Sequence, residues 1–328
     1  MDSWQFVVID ALLALTAVVL AGMSVLGSDQ KRSIVLFIAF GLLLSLIWAR
    51  LKAPDLALAE AAIGAGLTGA LLFSALQSST TEEGGSKQKK VRIGIPCKRA
   101  VGWLAAALIA GVATAMIWAL EDGRIQPAAF NLSDQVFGHL QQSGVSNPVT
   151  AVLLNFRAYD TLLELAVLLS VALGIMALGR PPLPVAAPGP VLVFLVGILV
   201  PLLVLTAGYL LWVGAHAPGG AFQGGAVLAA AGVLLALSGH RDAWLPGPRA
   251  LPALLGAGLF LFIGAGVAMT LSGAVFLQYP EGWAGAIILI IETMALLSIA
   301  LTLVLAYLGG LPVQDACAQA RRADVDAS

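Results

Sequence analysis

Long apolar blocks recur along the chain, separated by short polar connections. A bilayer crossing takes about 20 mostly apolar residues. Blocks of that size lie at 4–26, 33–51, 54–77, 101–120, 156–179, 190–213, 219–239, 251–273 and 283–308. The pattern predicts an all-α polytopic membrane protein with nine transmembrane helices. The first block follows Asp2 and has no basic stretch ahead of it, so it reads as a retained helix and not as a cleaved leader.

Three connections stand out from the rest. Residues 78–100 are polar, basic and rich in Gly and Ser, which predicts a flexible linker. Residues 121–155 are longer and mixed, with a candidate amphipathic interfacial helix over 133–142. Residues 180–190 hold five prolines and predict a stiff, extended connection. The helices are therefore expected in a 3+2+4 arrangement. The corresponding partition is a three-helix module over 1–78, a linker over 79–100 and a two-helix module over 101–180, then a Pro-rich linker over 181–190, a four-helix module over 191–310 and a tail over 311–328.

Composition agrees with the pattern: 59% of residues are hydrophobic and 11% charged, against roughly a quarter charged in an ordinary soluble domain. The net charge of −1 offers no field for nucleic acid. Basic residues are segregated, and this orients the chain. With the N-terminus outside, thirteen of the seventeen Lys and Arg residues fall in inside loops. The positive-inside rule then predicts N-terminus outside and C-terminus cytoplasmic. Cys97 and Cys317 lie outside the apolar blocks and are expected to be two unpaired thiols.

Candidate chemistry lies where charges interrupt apolar blocks, since each costs about 2.5–3.5 kcal/mol at mid-bilayer. In the third block, Pro54 fits a first helical position. Asp55 follows in the first turn, as an N-terminal cap or as part of an ion path. Glu60 lies about 8 Å deeper, ahead of Gly64, Gly66 and Gly69. It is compatible with a proton or cation path and with a structural hydrogen bond. In the fifth block Arg157, Asp160 and Glu164 share one helix face. An Arg–Asp pair there leaves Glu164 as the deeper acid, and an anchoring salt bridge is the alternative. Glu292 sits near the middle of the last block and has to face a partner helix or a cavity. Asp10, in the first block, reads as structural.

Between the sixth and seventh blocks runs His216-Ala-Pro218-Gly219-Gly220-Ala-Phe-Gln-Gly224-Gly225. Its glycines predict a tight turn and a close helix–helix contact, with Gly220 and Gly224 in small-xxx-small spacing. It lacks the Lys-Ser/Thr ending of a phosphate loop. His216 reads as a satisfied structural histidine or a pH-responsive group. No Ser/His/Asp set, HExxH, CxxC or nucleotide motif occurs, so no catalytic residue, metal site or cofactor is expected.

Three segments resemble known modules. RLKAPDLALAEAAIGAGLTGAL resembles the MbhD module of membrane-bound hydrogenases, also found near the C-terminus of the large A subunit of Mrp-type Na+/H+ antiporters. NPVTAVLLNFRAYDTLLELAVLLSVALG resembles the MbhE module that follows it there. HAPGGAFQGGAVLAAAGVLLAL resembles the antiporter B subunit, or MbhF, with Ala221 where a third glycine is usual. The resemblance implies a fused subunit of a multi-subunit Na+/proton antiporter in a bacterial inner membrane, with the other antiporter subunits, the lipid bilayer, Na+ and H+ as partners. It carries an ion-path role to Asp55, Glu60, Asp160 and Glu164. The antiporter-like core that drives pumping in that family is missing from this chain, so transport by the chain alone is not expected. The alternatives are the membrane arm of a hydrogenase or other redox-driven pump, and a scaffold that serves assembly alone.

Overall fold

The computed structural model describes residues 3–83, 107, 110–118, 131–178, 188–240, 244–247, 250–280 and 282–309. They fall into two compact units, one of residues 1–80 with 139–328 and the other of residues 81–138. Both cysteines, most of the 79–100 and 181–190 linkers, the 311–328 tail and much of the 101–120 block lie outside the described residues. All regular structure among the described residues is helical.

The larger unit opens with a hairpin of α1 (Ser3–Leu26) and α2 (Gln30–Arg50). Asp29 caps α2 by accepting a hydrogen bond from the Lys31 amide at 3.0 Å. The other end of the hairpin is tied by Arg50, whose Nε donates to Asp10 Oδ1 at 2.8 Å while its guanidinium covers the Phe6 ring at 4.6 Å. Asp10 is thus an ion-pair partner of Arg50.

α2 stops where Lys52 adopts a left-handed φ of 58° and the Ala53 amide returns to the Trp48 carbonyl at 2.9 Å. Pro54 then opens α3 (Pro54–Ala59), because its missing N–H falls at a position with no intrahelical acceptor. The helix continues as a π segment, π1 (Glu60–Leu67), and then as α4 (Thr68–Glu83). The wide turns are closed by Thr68, whose hydroxyl donates to the Ile63 carbonyl at 2.7 Å. Against α2, Ser45 donates to the Ala57 carbonyl at 2.7 Å, and Gly41 leaves room for the Ala65 backbone.

A second interrupted helix begins at α6 (Pro148–Ala151), widens into π2 (Val152–Phe156) and resumes as α7 (Ala158–Leu178). The preceding short helix is α5 (Leu132–His139), followed by a 3-10 turn at Leu140–Ser143. The apolar pattern places the start of the second helix near Asn155, and the structure moves it to Pro148. Ser-Asn-Pro-Val-Thr is polar, yet Asn147 is an N-cap whose Oδ1 accepts from the Val149 amide at 3.0 Å. Arg157 sits at the end of π2, where its amide reaches the Val152 carbonyl at 2.7 Å and Thr161 Oγ1 satisfies the Leu153 carbonyl at 2.6 Å.

The remaining helices are α8 (Pro190–Val213), α9 (Ala221–Leu237), α10 (Ala250–Leu271) and α11 (Ala284–Leu308). α11 is the axis of the bundle. It packs against α7, α8, α9 and α10, and 61% of its apolar window is buried against 6% for α1. The outward sides of the other helices carry apolar residues such as Leu15, Val18, Phe194 and Leu205. A soluble protein does not present such a surface, and lipid covers it at no cost. Seven helices among the described residues are long and apolar enough to span a membrane, and α9, with 17 residues, is shorter.

Small residues set the spacing around α11. A Cβ on Gly224 would lie 2.7 Å from Leu296 Cδ1, and one on Gly225 would lie 2.9 Å from Ile299 Cγ2. Ser298 donates to the Leu254 carbonyl at 2.9 Å and accepts from the Gly258 amide at 3.0 Å, stitching α11 to α10. Replacing Gly225 by leucine is therefore expected to cost about 2–3 kcal/mol through overpacking. The check is the unfolding midpoint of the detergent-solubilised protein, and an unchanged midpoint would remove this contact from the account.

Candidate functional site

The site is built on the turn between α8 and α9. α8 ends at Val213, and the Gly214 and Gly220 amides both return to the Leu210 carbonyl, at 3.1 and 2.8 Å. The turn closes so tightly that a Cβ on Gly214 would lie 2.6 Å from Gly220 Cα. Gly220 has φ +111°, a conformation that glycine alone adopts without strain. Pro218 adds no amide donor inside the turn.

Three distant parts of the sequence dock on this turn. From α3, Asp55 Oδ1 accepts from the Gly219 amide at 3.1 Å, and the Asp55 carbonyl accepts from Gln223 Nε2 at 3.2 Å. From α11, Glu292 Oε1 accepts from the Ala221 amide at 3.3 Å. On the segment before α6, Asn147 Nδ2 donates to the Gly214 and Ala217 carbonyls at 3.2 and 3.0 Å. Thr150 Oγ1 reaches the Gly214 carbonyl at 2.6 Å, and the Ser146 and Asn147 amides both reach the Ala215 carbonyl. His216 Nδ1 lies 3.0 Å from Ser146 Oγ.

The distribution of donors and acceptors explains the arrangement. The first amides of a helix lack intrahelical partners and carry the positive end of its dipole. Ala221 opens α9 and Gly219 lies just ahead of its N-cap, and each amide takes a carboxylate. The carbonyls of the turn, Gly214, Ala215 and Ala217, face the other way and take the side-chain and backbone donors of residues 146–150. Asp55 and Glu292 are both buried, at 8% and 3% exposure. Glu292 Oε2 has no hydrogen-bond partner among the described residues.

The other acids lie apart from the turn. Glu60, half-buried at the start of π1, folds back over Gly64, where any Cβ would collide with its carboxylate. Asp160 pairs with Arg157 through Oδ2 and Nη2. Asp160 and Glu164 line a cleft of about 450 Å³ with Ile63, Phe222, Ile299 and Leu303. Ile63 is three residues from Glu60, and Phe222 follows Ala221. Glu164 is exposed on α7, about 9 Å along the helix from its start. Among the described residues no group of acids, His and Cys is arranged to hold a metal ion. In the loop before α11, burial pushes the Tyr279 phenol up.

The structure thus joins Asp55, Gly219, Gly220 and Glu292 at one turn, with His216, and places Asp160 and Glu164 on α7 with Arg157 just ahead of it. Asn147, Thr150 and Gln223 were not legible as site residues. Asn-Pro is a recognisable helix start, and Gln223 is a lone amide in an apolar block. Neither signal says which turn the amide will reach.

Known proteins divide along the same lines. Residues 14–80 match the MbhD family model and residues 98–187 the MbhE family model, both describing subunits of MBH. Residues 191–310 match the MnhB model, a "Domain related to MnhB subunit of Na+/H+ antiporter". No curated protein matches the chain. Among solved structures, the Mrp complex from Dietzia sp. DQ12-45-1b contains a chain that is 24% identical, with a TM-score of 0.69 over 91% of this chain and 34% of that one. This chain therefore spans about a third of the length of the Mrp chain it resembles. A chain of the archaeal membrane-bound sulfane sulfur reductase, a respiratory complex, is also 24% identical, with a TM-score of 0.53 over 64% of this chain and 97% of that one. The chain thus joins an MbhD, an MbhE and an MnhB-related domain in one sequence.

Proposed function

We propose that the chain is a membrane subunit of a multi-subunit antiporter that exchanges Na+ for H+, and that its carboxylates form part of the ion path. The observation that carries this reading is the set of acids kept at lipid depth in helices of three fused domains. A carboxylate at mid-span costs about 2.5–3.5 kcal/mol; Glu292 lies near the middle of its span, Glu60 and Glu164 lie about two turns into theirs, and Asp160 pairs with Arg157 near the start of α7. Both π segments lie beside these acids, π1 beginning at Glu60 and π2 ending just before Arg157, and such wide turns are frequent at functional sites. The chain lies in a bacterial inner membrane with its N-terminus outside, and the partner subunits supply the driving core.

The test uses everted membrane vesicles from a host lacking its own sodium antiporters, carrying the complete complex or the complex without this chain. Sodium addition should collapse a preformed pH gradient only in the complete set. Equal collapse in both would overturn the reading.

A second reading is favoured by the two MBH family matches and by the likeness to the sulfane sulfur reductase chain. In it the chain sits in the membrane arm of a redox-driven pump, and its acids do the same local work. Affinity purification of the chain separates the two readings: antiporter subunits alone favour the first, and a co-purifying redox subunit favours the second.

A further inference from the structure

We propose that Glu292 is a site for protons and not for sodium, so that one ion of the exchange has its own acid in the MnhB-related domain. This rests on the ion-exchange reading above and adds the identity of the ion at one residue.

The argument is one of ligand chemistry. A hard cation such as sodium is held by several oxygen lone pairs, and in helical membrane proteins these come from unwound carbonyls and helix C-terminal ends. Glu292 faces the opposite pole. Its Oε1 accepts from the Ala221 amide at the N-terminus of α9, and a Cβ on Gly220 would lie 2.8 Å from the same oxygen. An amide donor and a positive dipole end receive an anion and repel a cation.

Two backbone carbonyls of the turn are also engaged. The Leu210 carbonyl accepts from the Gly214 and Gly220 amides, and the Gly220 carbonyl accepts from the Gly224 amide. On its own helix the surroundings are apolar, with Ile288, Ile291, Ala295 and Leu296 buried around the acid, and the Gln223 amide oxygen is the polar side-chain atom beside the turn. Glu292 itself is 3% exposed, and Oε2 has no partner among the described residues. That atom can carry a proton while Oε1 keeps its bond to Ala221, so loading and unloading need no new ligand.

No competing charge faces Glu292 from the helices packed on α11. α9 and α10 contain no titratable residue. α8 contributes Tyr209, which is 64% exposed. α7 contributes Tyr159, which is exposed, and Asp160 and Glu164, which line the cleft beside Ile299 and Leu303, about two and three turns along α11 from Glu292. On the turn itself, Asp55 binds the Gly219 amide and His216 meets Ser146. The cleft acids contrast with Glu292: Asp160 is paired with Arg157, and Glu164 is exposed on an open face with no backbone amide bound to it among the described residues.

The experiment uses the complete complex in proteoliposomes, with wild type, Glu292→Gln and Glu164→Gln compared by difference infrared spectroscopy during a pH titration. A protonated-carboxyl stretching band should titrate in wild type, vanish in Glu292→Gln, and stay unmoved when sodium replaces choline. In exchange assays Glu292→Gln should flatten the pH profile while leaving half-saturating sodium within about 2-fold, and Glu164→Gln should raise half-saturating sodium by about 10-fold. A sodium-induced shift of the Glu292 band, or a sodium defect in Glu292→Gln equal to that of Glu164→Gln, overturns the proposal. Should Glu292→Gln not assemble, Glu164→Gln decides: its carboxyl band must persist and be insensitive to sodium, and a lost or sodium-sensitive band overturns the proposal. A complex that exchanges no ions refutes the antiporter reading, while the infrared band still reports on Glu292.

Discussion

Glu60→Gln is expected to reduce sodium/proton exchange about 100-fold or more while the complex still assembles. Glutamine keeps the volume and the hydrogen-bonding reach but cannot carry charge or release a proton. The side chain of Glu60 is not engaged in an ion pair among the described residues, so removing its charge leaves no cation stranded. Assembly should therefore survive, which separates this variant from a folding defect. Position matters as well as charge. The carboxylate lies over Gly64, and a methyl group there would occupy its place. Gly64→Ala should consequently depress exchange too, with the acid still present. Complementation of a sodium-sensitive host and exchange in everted vesicles measure the loss, and co-purification of partner subunits measures assembly. Normal sodium resistance with Glu60→Gln would remove this residue from the path.

The second large effect is on cohesion. Asn147→Ala should destabilise the larger unit by about 2–4 kcal/mol. Three bonds are lost at once: the cap to the Val149 amide, and those to the Gly214 and Ala217 carbonyls. Gly214 retains Thr150 as a donor, whereas no other described bond reaches the Ala217 carbonyl. The segment before α6 would then hold the turn only through Ser146, Thr150 and the Ala215 carbonyl. The expected signature is a lower unfolding midpoint in detergent, with early protease cleavage near residue 147. An unaltered midpoint would mean that the turn is held by packing and not by this amide.

Much of the fold was legible because lipid enforces it. The blocks that became α1, α2, α8, α10 and α11 are long, apolar and nearly free of charge, and a span of that kind has few alternatives. The pattern was silent where a helix changes its pitch. π1 and π2 contain ordinary helix-forming residues, and the wide turns arise from contacts such as Thr68 to Ile63 and Thr161 to Leu153. It also misplaced the start of the second interrupted helix, since a polar cap looks like a loop in a hydropathy reading.

The site was half legible. Asp55, Glu60, Asp160, Glu164 and Glu292 stood out because each breaks an apolar block, and the glycine run stood out by composition. Sequence spacing says nothing about Asp55 and Glu292 taking amides of the same turn, being 237 positions apart. Nor could it separate the acids bound by amide donors from those that line a cleft.

The wide turns of π1 have a consequence for how the N-terminal domain tolerates change. Each π turn holds an extra residue relative to an α-helix, so loss of one residue within 60–67 need not break the rod. It would instead convert the wide turns to ordinary α-helix and leave the upstream part facing nearly the same way. Asp55 would keep its side towards Gly219, and the face that receives Ser45 would be preserved. The spare residue in this stretch therefore acts as slack, whereas a deletion within 56–59 would rotate Asp55 by about 100° and break its contact.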